Sequence, residues 1–147
     1  DEMRAAPSAG ALYPLDVFVI AGAVDGLAPG VYRYLPAQHG LAPVAPGDRR
    51  NALAAAAKEQ EWLAKAPAIL VVAGTEERSR WKYGERTSRY VLLEAGHAAE
   101  NVALQAVAIG LATVVVGAYD DARVREVVHL PPGAVPLCLL PVGEAAV

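Results

Sequence analysis

Residues 88–110 read SRYVLLEAGHAAENVALQAVAIG, and residues 111–116 continue LATVVV. The first stretch has apolar residues at helical spacing and no internal breaker, so it predicts a helix of ~34 Å at ~1.5 Å per residue. The second is β-branched and predicts a strand over Thr113–Val116. On a wheel of ~100° per residue, Glu94, His97, Asn101 and Gln105 share a stripe of roughly 80°. Beyond the first turn nearly everything else except Glu100 is apolar. A helix covering one sheet needs an apolar stripe of only ~100°. This one is therefore expected to bury two sides, either sandwiched within the chain or shared with a second copy.

The run from Val102 to Tyr119 carries no charge and approaches the ~18–20 residues of a membrane span. Gln105, Gly110 and Thr113 interrupt it, and its pattern switches midway from helical to β-branched. It reads as a core helix entering a core strand.

Outward from that core, Leu15–Ile20 and Ala68–Ala73 have strand composition, and Pro136–Val142 forms a last strand. Val31–Tyr34 and Gly40–Val44 suggest a peripheral hairpin, with Pro43 favouring the sheet edge. Pro46-Gly47-Asp48 offers a turn and an N-cap for a helix running to Lys65, where Pro67 stops it. Asp120-Asp121 caps a short helix through His129. Strands and helices mix without strict βαβ alternation, so the fold class is α+β: a mixed sheet flanked by helices, with a long central helix.

Composition bounds the function. The 147 residues suit one domain, read as 1–147 and as truncated at the N-terminus because it starts at Asp1 without an initiator Met. An apolar share of 54% supplies a core. A net charge of −3 gives no pull toward nucleic acid or an anionic membrane. The single cysteine, Cys138, cannot form an internal disulfide, and no signal peptide opens the chain, which points to a cytoplasmic protein.

Two segments carry chemical potential. Five of the thirteen basic residues fall within Arg78–Arg89, interleaved with Trp81 and Tyr83. Such a cluster before a helix N-terminus can hold an anionic group, because helix-end N–H groups add to side-chain charge. It can equally be a solvated loop paired with Glu76, Glu77 and Glu85. Pro7–Pro14 is a turn-rich stretch whose Ser8, Ala9, Gly10 and Ala11 would let a planar ligand approach the backbone; alternatively it is an ordinary turn before a strand. Glu94-x-x-His97 has the spacing of a metal half-site, but no second copy exists and a polar stripe accounts for it better. No metal site is expected.

Together, Pro7–Pro14, Lys82-Tyr83-Gly84-Glu85-Arg86, Leu93-Glu94-Ala95-Gly96-His97 and Gly110–Thr113 through Gly117–Asp120 resemble the SagB-type dehydrogenase branch of the flavin-dependent nitroreductase family. Their order and spacing span about 140 residues of the 147. The resemblance implies an FMN-dependent oxidoreductase, a homodimer with the cofactor at the subunit interface, acting on a small-molecule or modified-peptide substrate. It implies that Pro7, Ser8, Ala9, Gly10 and Ala11 pass along the flavin ring through backbone contacts, with Ala11 where many nitroreductases place an Asn. Val115-Val116-Gly117 would offer a backbone N–H to the flavin, and Arg86 would neutralise charge near it.

In azoline oxidases of this branch, a pair matching Lys82-Tyr83 is implicated in catalysis. Aromatising a thiazoline or oxazoline removes a hydride and a proton; a flavin accepts the hydride, whereas the proton needs a positioned base. The resemblance thus gives Lys82 as base and Tyr83 as its orienting or relaying partner. An NAD(P)H-dependent nitro or quinone reductase, and a degenerate scaffold domain lacking catalysis, are the competing readings. The second is motivated by the absence of the basic terminal segments that hold the FMN phosphate in relatives.

Overall fold

A computed structural model describes residues 3–145. Six strands form one sheet: β1 (Leu15–Ala21), β2 (Gly30–Leu35), β3 (Gly40–Pro46), β4 (Ala68–Gly74), β5 (Ala112–Thr113) and β6 (Val135–Gly143). Their order is β3-β2-β1-β4-β6-β5, and every neighbouring pair is antiparallel. Four helices accompany them: α1 (Arg50–Ala56), α2 (Glu77–Tyr83), α3 (Thr87–Ala108) and α4 (Asp121–Val128). The class is α+β, as the mixed pattern of elements predicts.

Strand alternation divides the core between two faces. On one, Phe18, Ile20, Ile69, Val71 and Leu139 meet Leu53 of α1 and Val124 and Val128 of α4. On the other, Val72, Cys138 and Leu140 meet Ala95 and Ala99 of α3. The sheet is therefore a middle layer, and the small α3 residues let that helix lie close to it. The hairpin β2–β3 sits at one edge, where the prolines of β3 cost no ladder bonds inside the sheet.

Register fixes what each end of the sheet carries. Leu15 of β1 faces Gly74 of β4, and Gly74 faces Val135 of β6. The segment before β1 and the helix after β4 thus emerge from the same end. Thr113 pairs with Val142, near the far end of β6. At ~3.3 Å per residue, the seven steps from Val135 to Val142 put β5 roughly 20–25 Å along the sheet from that first end.

Three expectations are corrected and a fourth is narrowed. The helix predicted from Asp48 to Lys65 stops at Ala56: Lys58 and Glu59 turn left-handed at φ 55° and 57°, and a 3-10 turn covers Glu61–Lys65. Gln60 Nε2 takes up the freed Ala57 carbonyl at 2.8 Å and the Ala118 carbonyl at 3.1 Å. Of the strand predicted over Thr113–Val116, only Thr113 lies in β5, which spans Ala112–Thr113, and a single bridge between Val116 and Leu139 follows in the same register. The basic cluster Arg78–Arg89 is helical, filling α2, a 3-10 turn at Gly84–Arg86 and the start of α3. The long helix runs over Thr87–Ala108 and is not sandwiched within the chain: the sheet covers one side, which leaves burial against a second copy as the standing expectation. Its other side exposes Leu92, Leu93, Leu104 and Val107, at 60%, 56%, 61% and 74%.

Among the described residues, no helix is long and apolar enough to cross a membrane. Phe18 is the largest side chain in the α1–α4 face and is 2% exposed. Phe18→Ala should cost about 3–5 kcal/mol, read as a lower urea midpoint with an unchanged m-value; a loss under about 1 kcal/mol would contradict this packing.

Candidate active site

The shared end of the sheet brings the two chemical segments together. Lys82 and Tyr83 occupy the last turn of α2, which ends at Gly84 with φ 52°, a conformation suited to glycine after a helix. The 3-10 turn Ala9–Ala11 precedes β1 and contains Gly10 at φ 62°. A Cβ placed on Gly10 would lie 2.6 Å from Tyr83 Oη and 2.7 Å from Lys82 Nζ. A side chain at this position would push both heads aside, so glycine suits the approach. Tyr83 is held by an edge-to-face contact with Tyr90 of α3, centroids 4.9 Å apart at 88°.

Polar contacts fix the Ser8–Pro14 segment on three sides. Ser8 Oγ accepts from the Tyr13 N–H at 2.9 Å and donates to Glu94 Oε2 of α3 at 2.7 Å. The Tyr13 carbonyl accepts from Arg78 Nη1 of α2 at 3.2 Å, and the Pro14 carbonyl accepts from the Thr75 N–H at 2.9 Å. Arg78 is itself paired with Asp16 at 2.5 Å, and Asp16 also accepts from Arg33 of β2 at 2.7 Å. Asp16 is nearly buried, so its two arginine partners supply the charge and hydrogen bonds that such burial requires. The Arg4 guanidinium lies 4.2 Å from the Tyr13 ring centroid.

These contacts change the reading of the cationic cluster. Arg78 works inside the fold, and Arg80 pairs with Glu76 one turn away at 2.6 Å. Lys82, Arg86 and Arg89 remain exposed, with Arg86 in the turn joining α2 to α3. Val115, Val116 and Gly117 lie apart from them. They follow β5 along the β6 edge, and both backbone groups of Val116 are bonded to Leu139, at 2.9 and 3.0 Å. Its N–H is therefore engaged within the sheet.

The polar stripe of α3 also divides. Glu94 is buried against Ser8, and His97 is exposed. Asn101 and Gln105 line a groove of about 420 Å³ at the other end of the helix, with Tyr34 and His39 opposite. Sequence reasoning missed Glu94 and Asp16 as organisers of the site. A lone carboxylate inside the apolar strand Leu15–Ile20 was the legible signal for Asp16. Among the described residues no group of three or more His, Cys, Asp or Glu is arranged to hold a metal. Burial pushes the Cys138 thiol up to about 11, which keeps it protonated and unreactive near neutrality.

Burial raises the Glu94 carboxyl above its ordinary value, while the Ser8 hydrogen bond and the charges of Arg4 and His97 act in the opposite direction. The native carboxyl value is the higher one, so this group's contribution to stability is complete below the ordinary value of 4.5 and is lost as pH rises through the native value. Wild-type stability relative to Glu94→Gln should therefore fall as the pH rises above 4.5 in urea melts at stepped pH. A pH-independent difference would contradict it.

The chain is similar to known proteins over nearly its whole length. The profile of the nitroreductase family matches residues 1–144. The nitroreductase-like protein MJ1384 of Methanocaldococcus jannaschii is 42% identical over 141 residues, covering 96% of this chain and 70% of that protein. The microcin B17-processing protein McbC of Escherichia coli is 33% identical over 132 residues, covering 86% of this chain and 48% of McbC. This chain thus spans about half the length of McbC. Among solved structures, a nitroreductase-like protein from Anabaena variabilis superposes with a TM-score of 0.91 at 29% identity, covering 97% of this chain and 29% of that one. A chain of the E. coli microcin synthetase McbBCD complex, with truncated pro-MccB17 bound, superposes at 0.86 with 30% identity, covering 99% of this chain and 57% of that one. With the profile covering residues 1–144 and the fold superposing over 97% of the chain, the chain belongs to the nitroreductase family.

Proposed function

We propose that this chain is the catalytic unit of an FMN-dependent oxidoreductase of the SagB type, one that oxidises thiazoline or oxazoline rings in a modified peptide. The observation that carries this reading is the convergence of Lys82 Nζ and Tyr83 Oη on the backbone at Gly10. The relationship to McbC, which processes microcin B17, supports the substrate class.

The residues present fit one half of a flavin site. Ser8, Ala9, Gly10 and Ala11 form a surface free of bulky side chains, and the space at Gly10 that a Cβ would fill is bounded by a cationic and a phenolic head. Pro7–Ala11 would hold the ring through its backbone, and Arg86 would face the negative charge of the cofactor. FMN, when bound, supplies a two-electron acceptor. Lys82 would take the proton released from the ring carbon in its neutral form, and Tyr83 would orient the amine or pass the proton on.

In this reading Val115 and Gly117, which follow β5 at the sheet edge, and the Gly10 surface beside α2 belong to two halves of a site. A homodimer would unite them, and the apolar face of α3, with open space at Gly96, is the surface we assign to that contact. A reductase of nitro compounds or quinones driven by NAD(P)H is the second reading, favoured by the similarity to MJ1384.

Lys82→Ala should retain FMN yet lose about 10²–10³-fold in azoline oxidation, as expected for removal of a positioned base; turnover within about threefold of wild type would remove Lys82 from this role. Stopped-flow mixing with NAD(P)H under anaerobic conditions separates the readings: the oxidase leaves the flavin yellow, whereas rapid bleaching indicates the reductase. Gly10→Ala should cost about 1–2 kcal/mol from left-handed strain while reducing turnover more than tenfold, because the added methyl displaces both heads; full activity would contradict the geometry.

A further inference from the structure

The backbone around Gly10 is strained for more than glycine. Ala11 and Tyr13 also lie in the left-handed region, at φ 52° and 46°. Residues with side chains persist there only where their surroundings over-determine the conformation. One such determinant has a defined direction. The Tyr13 N–H can only donate, so Ser8 Oγ must accept from it, and the single hydroxyl proton is then directed to Glu94 Oε2. Glu94 is 5% exposed, on the sheet-facing side of a 22-residue helix, and cannot swing away to solvent.

We propose that Glu94 is a positioning residue of the active site: through Ser8 and the Tyr13 amide it fixes the strained Ser8–Tyr13 loop, and thereby the surface that Gly10 presents to Lys82, Tyr83 and the bound flavin. This inference rests on the reading of that surface as the flavin face. It assigns a function to a buried residue whose side chain hydrogen-bonds to the loop, at Ser8. The requirement on residue 94 is an acceptor oxygen at the end of the relay, and a negative charge is not needed. Gln should therefore substitute and Ala should not. The Arg78 contact to the Tyr13 carbonyl holds the other side of the same peptide, so loss of Glu94 loosens the loop without releasing it.

The test uses the whole chain with two readouts. The first needs no cofactor: amide hydrogen exchange at Tyr13, followed by NMR. Ser8→Ala and Glu94→Ala should each speed that exchange about tenfold, the equivalent of one hydrogen bond. The double variant should add less than about twofold, because the two groups act as one unit. Glu94→Gln should stay within about threefold of wild type. The second readout is the FMN dissociation constant, expected to weaken about fivefold to twentyfold in both alanine variants and to recover in Glu94→Gln.

Unchanged exchange in the alanine variants, additive effects in the double variant, or a Gln variant as impaired as Ala would overturn the proposal. Faster exchange with unchanged FMN affinity would also overturn it, reducing Glu94 to a structural tie. Should Glu94→Ala fail to fold, Ser8→Ala against Glu94→Gln makes the same comparison. If the wild-type chain binds no FMN, the proposed function fails, and loss of the exchange pattern or its persistence is then read separately for the loop.

Discussion

The site depends on a place where the backbone has no room for a side chain. Gly10 lies so close to Lys82 Nζ and Tyr83 Oη that a single methyl group would displace both. Close approach of this kind is not free, since a left-handed turn must be held by something else. Here Glu94 holds it from α3, Arg78 from α2 and Thr75 from the end of β4. The buried carboxylate of Asp16 then holds Arg78. Each of these contacts belongs to the fold, and together they place the loop beside Lys82 and Tyr83.

The antiparallel register of β1 and β4 makes that convergence possible. Pairing Leu15 with Gly74 sends the loop before β1 and the helix after β4 out of the same end of the sheet, although about sixty residues separate them in sequence. The same register leaves Val115–Gly117 along the other edge. The sheet leaves one apolar surface of α3 uncovered, the surface assigned above to a partner copy.

Much of this was legible in the residues. β-branched runs marked β1 and β4, an apolar run marked β6, Pro43 marked an edge strand, and the wheel of residues 88–110 marked the long helix and the apolar side that the sheet does not cover. What sequence reading missed has physical causes. The break after Ala56 uses left-handed Lys58 and Glu59, residues that carry no turn signal, in a segment whose alanines favour helix. It is stabilised by Gln60 reaching Ala118, a contact 58 residues distant. Val114–Val116 has strand propensity but joins β6 only through the Val116–Leu139 bridge. For the cluster Arg78–Arg89 the alternative of pairing with nearby glutamates anticipated Arg80–Glu76, whereas the pairing of Arg78 with Asp16, 62 residues away, carries no local signal. Glu94 was visible only as one polar position among four.

The central claim is that the loop Pro7–Ala11 and the strand end Val115–Gly117, distant within one chain, face the same cofactor. Hydrogen exchange of the chain with and without FMN tests it most directly, because each segment reports separately. The account predicts that FMN slows exchange in both segments together, with the exposed face of α3 protected where two copies meet. Binding of FMN that leaves both segments exchanging as before would contradict it.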